Sequence, residues 1–227
     1  MRFLPILLCC APLMAQSGEE LLTQVDRLRH PWPSVSVEIE LKTAKASQHW
    51  KVTARENGDA RVEGLSEKEK GRSVVVLGDA MWLLLPGTKR PIKVTPQQRL
   101  LGPAAGGDIA RTRFAEDYSV KEKVDDVLDG ASCWRLALAA KKPSTSFRTA
   151  SLWVAKNGIR PLKAEFFLPS GKLAKTAIFA APQTQHGASV LVRMDLVEPK
   201  GASAELHFDH WTPVVADPKL FELPPVK

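Results

Sequence analysis

The sequence predicts a mainly β fold: one large curved antiparallel sheet or barrel, entered through a single helix. Three observations predict it. Apolar and polar residues alternate with period two in segment after segment, the pattern of strands with one dry and one wet face. Tight-turn pairs, Asn57-Gly58, Asn157-Gly158 and Ser170-Gly171, separate those segments at hairpin positions. Helical periodicity is clear only near the start. Tandem hairpins of this kind favour a single sheet over a doubly wound fold.

Met1-Arg2, an apolar run from Phe3 to Met14 and the small Ala15 before a polar stretch form a secretory leader, residues 1–15. The run is shorter than the ~20 residues that span a bilayer. Neither Cys9 nor Cys10 follows a small residue, which argues against lipid attachment. The mature chain, 16–227, fits one domain. Cys133 is then its sole cysteine, so packing and not a disulfide must hold it together. Net charge is +7, or +6 without Arg2, and the basic residues are scattered along strands. That excess suits anionic partners. Export and the absence of a basic patch argue against nucleic acid.

Ser17 to His30 reads as a helix. Ser17 caps it, Glu19 and Glu20 suit its first turn, and Leu21, Leu22, Val25 and Leu28 share one face. Pro31-Trp32-Pro33 ends it. Val35, Val37, Ile39 and Leu41 then alternate with polar residues, as do Trp50, Val52 and Ala54. Val74 to Leu77 and Met81 to Leu85 are unbroken apolar runs, so both faces of these strands are expected to be covered. Ile92 to Val94 makes a further short strand. Residues 95–118 break the β pattern and are expected to lie across the sheet as a helical insertion, with Asp108 capping a helix through Phe114. The β pattern then resumes. Trp134, Leu136 and Leu138 share a face; Val190, Val192, Met194 and Leu196 alternate, as do Ala204, Leu206, Phe208 and His210. Asp217 caps a last turn before Phe221. The count is about eleven strands.

No catalytic grouping emerges, and the chain is expected not to be an enzyme, with no cofactor and no metal. His207 and His210 fall on opposite faces of a strand and cannot easily share an ion. Cys133 has no neighbouring Cys or His in sequence, so packing is its expected role. Gly102 to Gly107 lacks the lysine of a phosphate loop. What stands out is apolar supply. A dry sheet face rich in tryptophan has one helix and one insertion to cover it. Periodicity leaves open whether these fill the concavity or leave a cavity.

The run Gly78-Asp79-Ala80-Met81-Trp82-Leu83-Leu84-Leu85-Pro86, followed by Arg90, Ile92, Gly107-Asp108 and Glu116-Asp117-Tyr118, resembles the outer-membrane lipoprotein-sorting family. More narrowly, it is similar to the LolA-like uncharacterised branch. Trp211-Thr212-Pro213 and Asp217-Pro218-Lys219-Leu220-Phe221 resemble the family's end. The sequence departs at Gly106-Gly107-Asp108, where a serine and a phenylalanine flank the aspartate in that branch, and Arg61 lacks the proline that follows an early-strand arginine in the well-studied carriers.

The resemblance implies a half-open antiparallel barrel lidded by helices, and a periplasmic carrier of lipid or lipoprotein acyl chains. On that reading Trp50, Val52, Trp82 and Leu84 form the cavity wall. Leu100, Leu101, Ile109 and Phe114 close it as a lid, and Lys89, Arg90 and Lys93 meet a headgroup at the rim. Rim charges that merely discourage edge pairing are the plain alternative. Expected partners are the acyl chains, an inner-membrane exporter and an outer-membrane acceptor, with the carrier a monomer. A different class remains open: an envelope sensor or exporter accessory that recognises lipid or protein without ferrying it.

Overall fold

The computed structural model describes residues 16–88, 90–95 and 113–224. The expected leader, Lys89, and Leu100, Leu101 and Ile109 of the expected lid lie outside the described residues. Helix α1 spans Gly18–Arg27. Ser17 caps it reciprocally: its hydroxyl accepts from the Glu20 N–H, and the Glu20 carboxylate accepts from the Ser17 N–H. Leu21, Leu22 and Val25 are buried on one face, as their spacing predicts.

Fifteen strands follow among the described residues. The first six are β1 (Ser34–Thr43), β2 (Ser47–Arg55), β3 (Ala60–Gly64), β4 (Ser73–Leu77), β5 (Ala80–Leu84) and β6 (Ile92–Val94). A short helix, α2 (Phe114–Asp117), leads into β7 (Tyr118–Leu128), β8 (Ala131–Ala140), β9 (Thr149–Ala155), β10 (Pro161–Phe167) and β11 (Leu173–Phe179). Then come β12 (Gln183–Gln185), β13 (Ala188–Val190), β14 (Arg193–Val197) and β15 (Ser203–Pro213), and a 3-10 turn at Pro218–Phe221.

Thirteen of these strands form one antiparallel sheet, ordered β6-β5-β4-β3-β2-β1-β15-β14-β11-β10-β9-β8-β7. The sheet is not a closed barrel, because β6 and β7 stand at opposite ends of that order. Meanders build each half, and one long-range pairing, β1 with β15, joins them. The expected turns are there: Gly58, Gly158 and Gly171 sit at φ 90°, 78° and 77° between successive strands.

One face of the sheet carries the core. Val37, Ile39, Val52, Leu136, Leu152, Met194, Leu206 and Phe208 pack with α1 in a single apolar cluster. The two halves meet over α2. Lys142 Nζ lies 3.4 Å from both Asp79, in the β4–β5 turn, and Glu116 of α2. The Arg113 guanidinium packs beside Gly58, 3.1 Å from where a Cβ would stand. A side chain at residue 58 would meet both that contact and the positive φ.

Two departures from the sequence reading have plain causes. The expected alternating strand through Val190 and Leu196 is split, and Val190 and Leu191 are both buried. Leu191 leaves the ladder because its N–H donates to the Leu28 carbonyl at the end of α1 (2.9 Å) and its carbonyl accepts from the Trp211 indole (2.8 Å). Strands β12 and β13 pair only with each other, and neither shows the alternation that reveals a half-buried strand.

Helix α1 touches β7 at its first residue. A Cβ on Gly18 would lie 2.7 Å from Val120 Cγ1. Alanine normally stabilises a helix relative to glycine, so the sign here is diagnostic. Gly18→Ala is expected to lower stability by about 1–2 kcal/mol through overpacking. Adding Val120→Ala should recover most of that loss, as read by urea denaturation; additive losses would contradict the packing.

Candidate functional site

Directly paired residues in an antiparallel ladder project to the same face, so register assigns every side chain. Ile39 pairs with Trp50, Val37 with Val52, Val52 with Val62, Val62 with Val74, Val74 with Leu83, and Leu83 with Ile92. This is the inner face, the one α1 covers. The other face runs Thr53, Arg61, Val75, Trp82, Lys93.

The expected wall therefore divides. Trp50 and Val52 lie on the inner face; Trp82 and Leu84 lie on the outer one. Of the expected rim, Lys93 is also on the outer face, its Nζ 5.7 Å from the Trp82 ring centroid, and Arg90 is exposed. Here the outer face is covered too. Phe221 of the C-terminal turn is buried against it under the Arg55 guanidinium, 4.0 Å from the ring centroid. Arg61 holds the same turn through the Leu220 carbonyl (3.2 Å). Val75 is consequently fully buried on the face opposite the main core.

Coverage of the inner face is uneven. Around β1, β15 and β14 it is sealed by α1. A small void of about 20 Å³, room for roughly one water, remains beneath the helix end. It is lined by Val37, Ile39, Val52, Phe208 and Trp211, with His30 at one side. Across β4, β5 and β6 the same face is less completely covered: Val76 and Met81 are buried, but their neighbours are not. Val74, Leu83 and Val94 are half-buried and Ile92 is 45% exposed. On the same face Trp50 is half-buried, with its indole nitrogen enclosed and lacking any hydrogen-bond acceptor.

Phe114, expected in the lid, is 1% exposed and stacks on Phe166 with centroids 6.2 Å apart. Asp26 of α1 places it: its two carboxylate oxygens accept from the Phe114 N–H (2.9 Å) and the Ala115 N–H (2.8 Å). Burial pushes the Asp26 carboxyl up to about 6, against the pull of those donors and of Arg29 and Arg113. Burial, with the same two arginines, pushes His30 down to about 3.

Sequence reasoning missed Val74, Leu83, Ile92 and Val94 as inner-face residues. It also missed Lys175, 2% exposed on the inner face, with its Nζ 5.9 Å from the Phe147 ring centroid. Its place in β11, two residues before the buried Ala177, was the available signal. Among the described residues no cluster of His, Cys, Asp or Glu is grouped to hold a metal. Cys133 is buried on the outer side of β8, and burial raises its thiol.

The architecture is a broad single sheet with an apolar, partly uncovered inner face under one capped helix. Comparison with known proteins places it further. A model of an uncharacterised protein family matches residues 64–223. The fold is similar to that of a LolA superfamily protein from Nitrosomonas europaea, 25% identical, with TM-score 0.81 over 92% of this chain and 98% of that one. It is also similar to an outer membrane lipoprotein-sorting protein domain from Vibrio parahaemolyticus, 18% identical, with TM-score 0.75 over 90% and 95%. A protein from Desulfovibrio piger, of a domain family of unknown function, is 16% identical with TM-score 0.75 over 90% and 95%. No curated protein matches the sequence. The chain belongs to the uncharacterised protein family whose model it matches, and its fold is LolA-like.

Proposed function

We propose that this chain is a periplasmic carrier that holds the acyl chains of a lipid or lipoprotein against its inner sheet face. The observation that carries the reading is the partly exposed set of Val74, Leu83, Ile92 and Val94 on the inner face, the face of Trp50 and of the sealed core. Four aliphatic side chains held part-way into solvent lose free energy unless something apolar covers them, and each methylene a ligand buries contributes about 0.8 kcal/mol. The LolA-like fold and the leader read in residues 1–15 support the same conclusion. So does the N. europaea relative, at a quarter identity over nearly its whole length.

The wall of the site is Trp50, Val52, Val74, Leu83, Ile92 and Val94. Delivery then requires a membrane donor and an acceptor.

The test is a matched pair of substitutions on one strand. The delipidated protein is titrated with the apolar fluorophore N-phenyl-1-naphthylamine. Leu83→Asp puts a charge into the wall and should weaken binding about tenfold or more. Trp82→Gln, one residue away on the outer face, should leave it within about twofold. Equal loss in both variants, or none in either, would overturn this placement of the wall.

A further inference from the structure

Trp50 carries a buried polar atom with nothing to bind. Its Nε1 is enclosed and meets no acceptor. Folded proteins almost always satisfy such groups, and leaving one unpaired costs about 1–3 kcal/mol. The surroundings do not lack acceptors for want of polarity. On the neighbouring strand Trp50 pairs with Gly64, and the space above Gly64 is taken by the Glu69 backbone, whose carbonyl oxygen lies 2.3 Å from where a Cβ would stand. The Glu69 side chain is itself buried and accepts from Gln48 Nε2 at 3.0 Å. The local polar groups are thus paired with one another and leave the indole N–H out. That N–H belongs to the inner face, the face that also carries the partly covered Val74, Leu83 and Ile92.

We infer that Trp50 is a specificity-determining donor: its indole N–H receives a carbonyl oxygen from the head of a bound acyl chain. The inference rests on the carrier reading above and narrows it. A plain hydrocarbon fills an apolar wall but leaves the donor orphaned. An acyl ester covers the same wall and also supplies the acceptor. The ligand class is therefore a chain ending in an ester carbonyl, with its tail along Val74, Leu83 and Ile92 and its first carbonyl at Trp50. One hydrogen bond to a group otherwise left unpaired is worth about fivefold to tenfold in affinity.

The experiment is competition between methyl hexadecanoate and octadecane, read as displacement of N-phenyl-1-naphthylamine from the delipidated full chain. Wild-type protein should prefer the ester by about fivefold to tenfold beyond the preference of Trp50→Phe, which keeps an aromatic ring but has no N–H. A second readout needs no variant to be stable. In the ¹⁵N–¹H spectrum of the tryptophan indoles, one N–H signal should move downfield with the ester and stay in place with octadecane. Trp50→Phe identifies that signal by its disappearance.

Equal displacement by both probes in wild type, or an ester preference unchanged in Trp50→Phe, or no indole N–H that responds to the ester alone, overturns the inference while leaving the carrier reading intact. Displacement by neither probe overturns both.

Discussion

Trp211→Ala should cost about 3–5 kcal/mol of folding stability, the range for removing a fully buried tryptophan. Trp211 is 2% exposed and stacks on Phe208 with centroids 6.1 Å apart. Its indole donates to the Leu191 carbonyl at 2.8 Å, and Leu191 in turn donates to the Leu28 carbonyl at the end of α1. One side chain therefore ties the last strand to the helix that covers the inner face. Phe208 and Trp211 are three residues apart, and an unbroken strand would aim them to opposite faces. A bulge corrects this. His210 takes φ 53°, and the pairing skips from Glu38–Asp209 to Ser36–Thr212. Trp211→Phe keeps the ring stack and loses the hydrogen bond, so it should cost only about 1–2 kcal/mol. Urea denaturation of both variants measures the difference. Equal costs would mean that the hydrogen bond, not ring burial, dominates.

His30→Asn should turn a stability that changes little with acid between pH 6.5 and 4 into one that rises. Two groups at the α1–α2 junction oppose each other there. His30 has its folded pKa depressed, from 6.5 to about 3. The unfolded chain takes up that proton first, so stability is lost as pH falls below 6.5. Asp26 has its folded pKa raised, from 3.8 to about 6. The folded chain takes up that proton first, so stability is gained between pH 6 and 4. In the wild type the two contributions largely cancel in this window. Glu40, Asp125 and Asp126, held low by hydrogen bonds and ion pairs, begin to add their losses at the acid end of this window, and do so in wild type and variant alike. Without His30 the Asp26 gain stands alone. The variant should therefore gain on wild type by about 2–3 kcal/mol between pH 7.5 and pH 4. Denaturant melts at the two pH values read it. An offset between the proteins that does not change with pH would remove the opposition from the account.

Much of the fold is legible in the sequence because most strands have one dry face. Val35 to Leu41, Trp50 to Ala54 and Ala204 to Phe208 alternate, and each sits with its apolar set inward as the pattern requires. The helix is legible through its capping box and its spacing. Parity fails where both faces are covered. Val74 to Leu77 and Met81 to Leu85 carry no alternation, because the outer face there packs under the Phe221 turn. The strand before them, with Arg61, Val62 and Glu63, does alternate. It is joined to them through the loop at Ser66–Gly71, whose length leaves register unspecified. A slip of one residue exchanges Trp82 for Leu83 on the inner face, so the sequence alone leaves open which of the two faces inward. Long-range joins are illegible for a different reason: nothing local to Ser36 or Thr212 encodes that they pair. Trp50 and Val52 could be placed from sequence because their strand is half-buried and pairs with another that is too. The orphaned indole nitrogen could not, since it depends on how the Glu69 loop crosses Gly64.

The central claim is that the inner face holds an acyl chain. Native mass spectrometry of the protein purified from the periplasm, followed by organic extraction, tests it most directly. The account predicts a non-covalent adduct that extraction releases as an acyl-bearing lipid or acyl-peptide, and that Leu83→Asp loses while remaining folded. A bare protein mass, unchanged after incubation with envelope lipids, would contradict it.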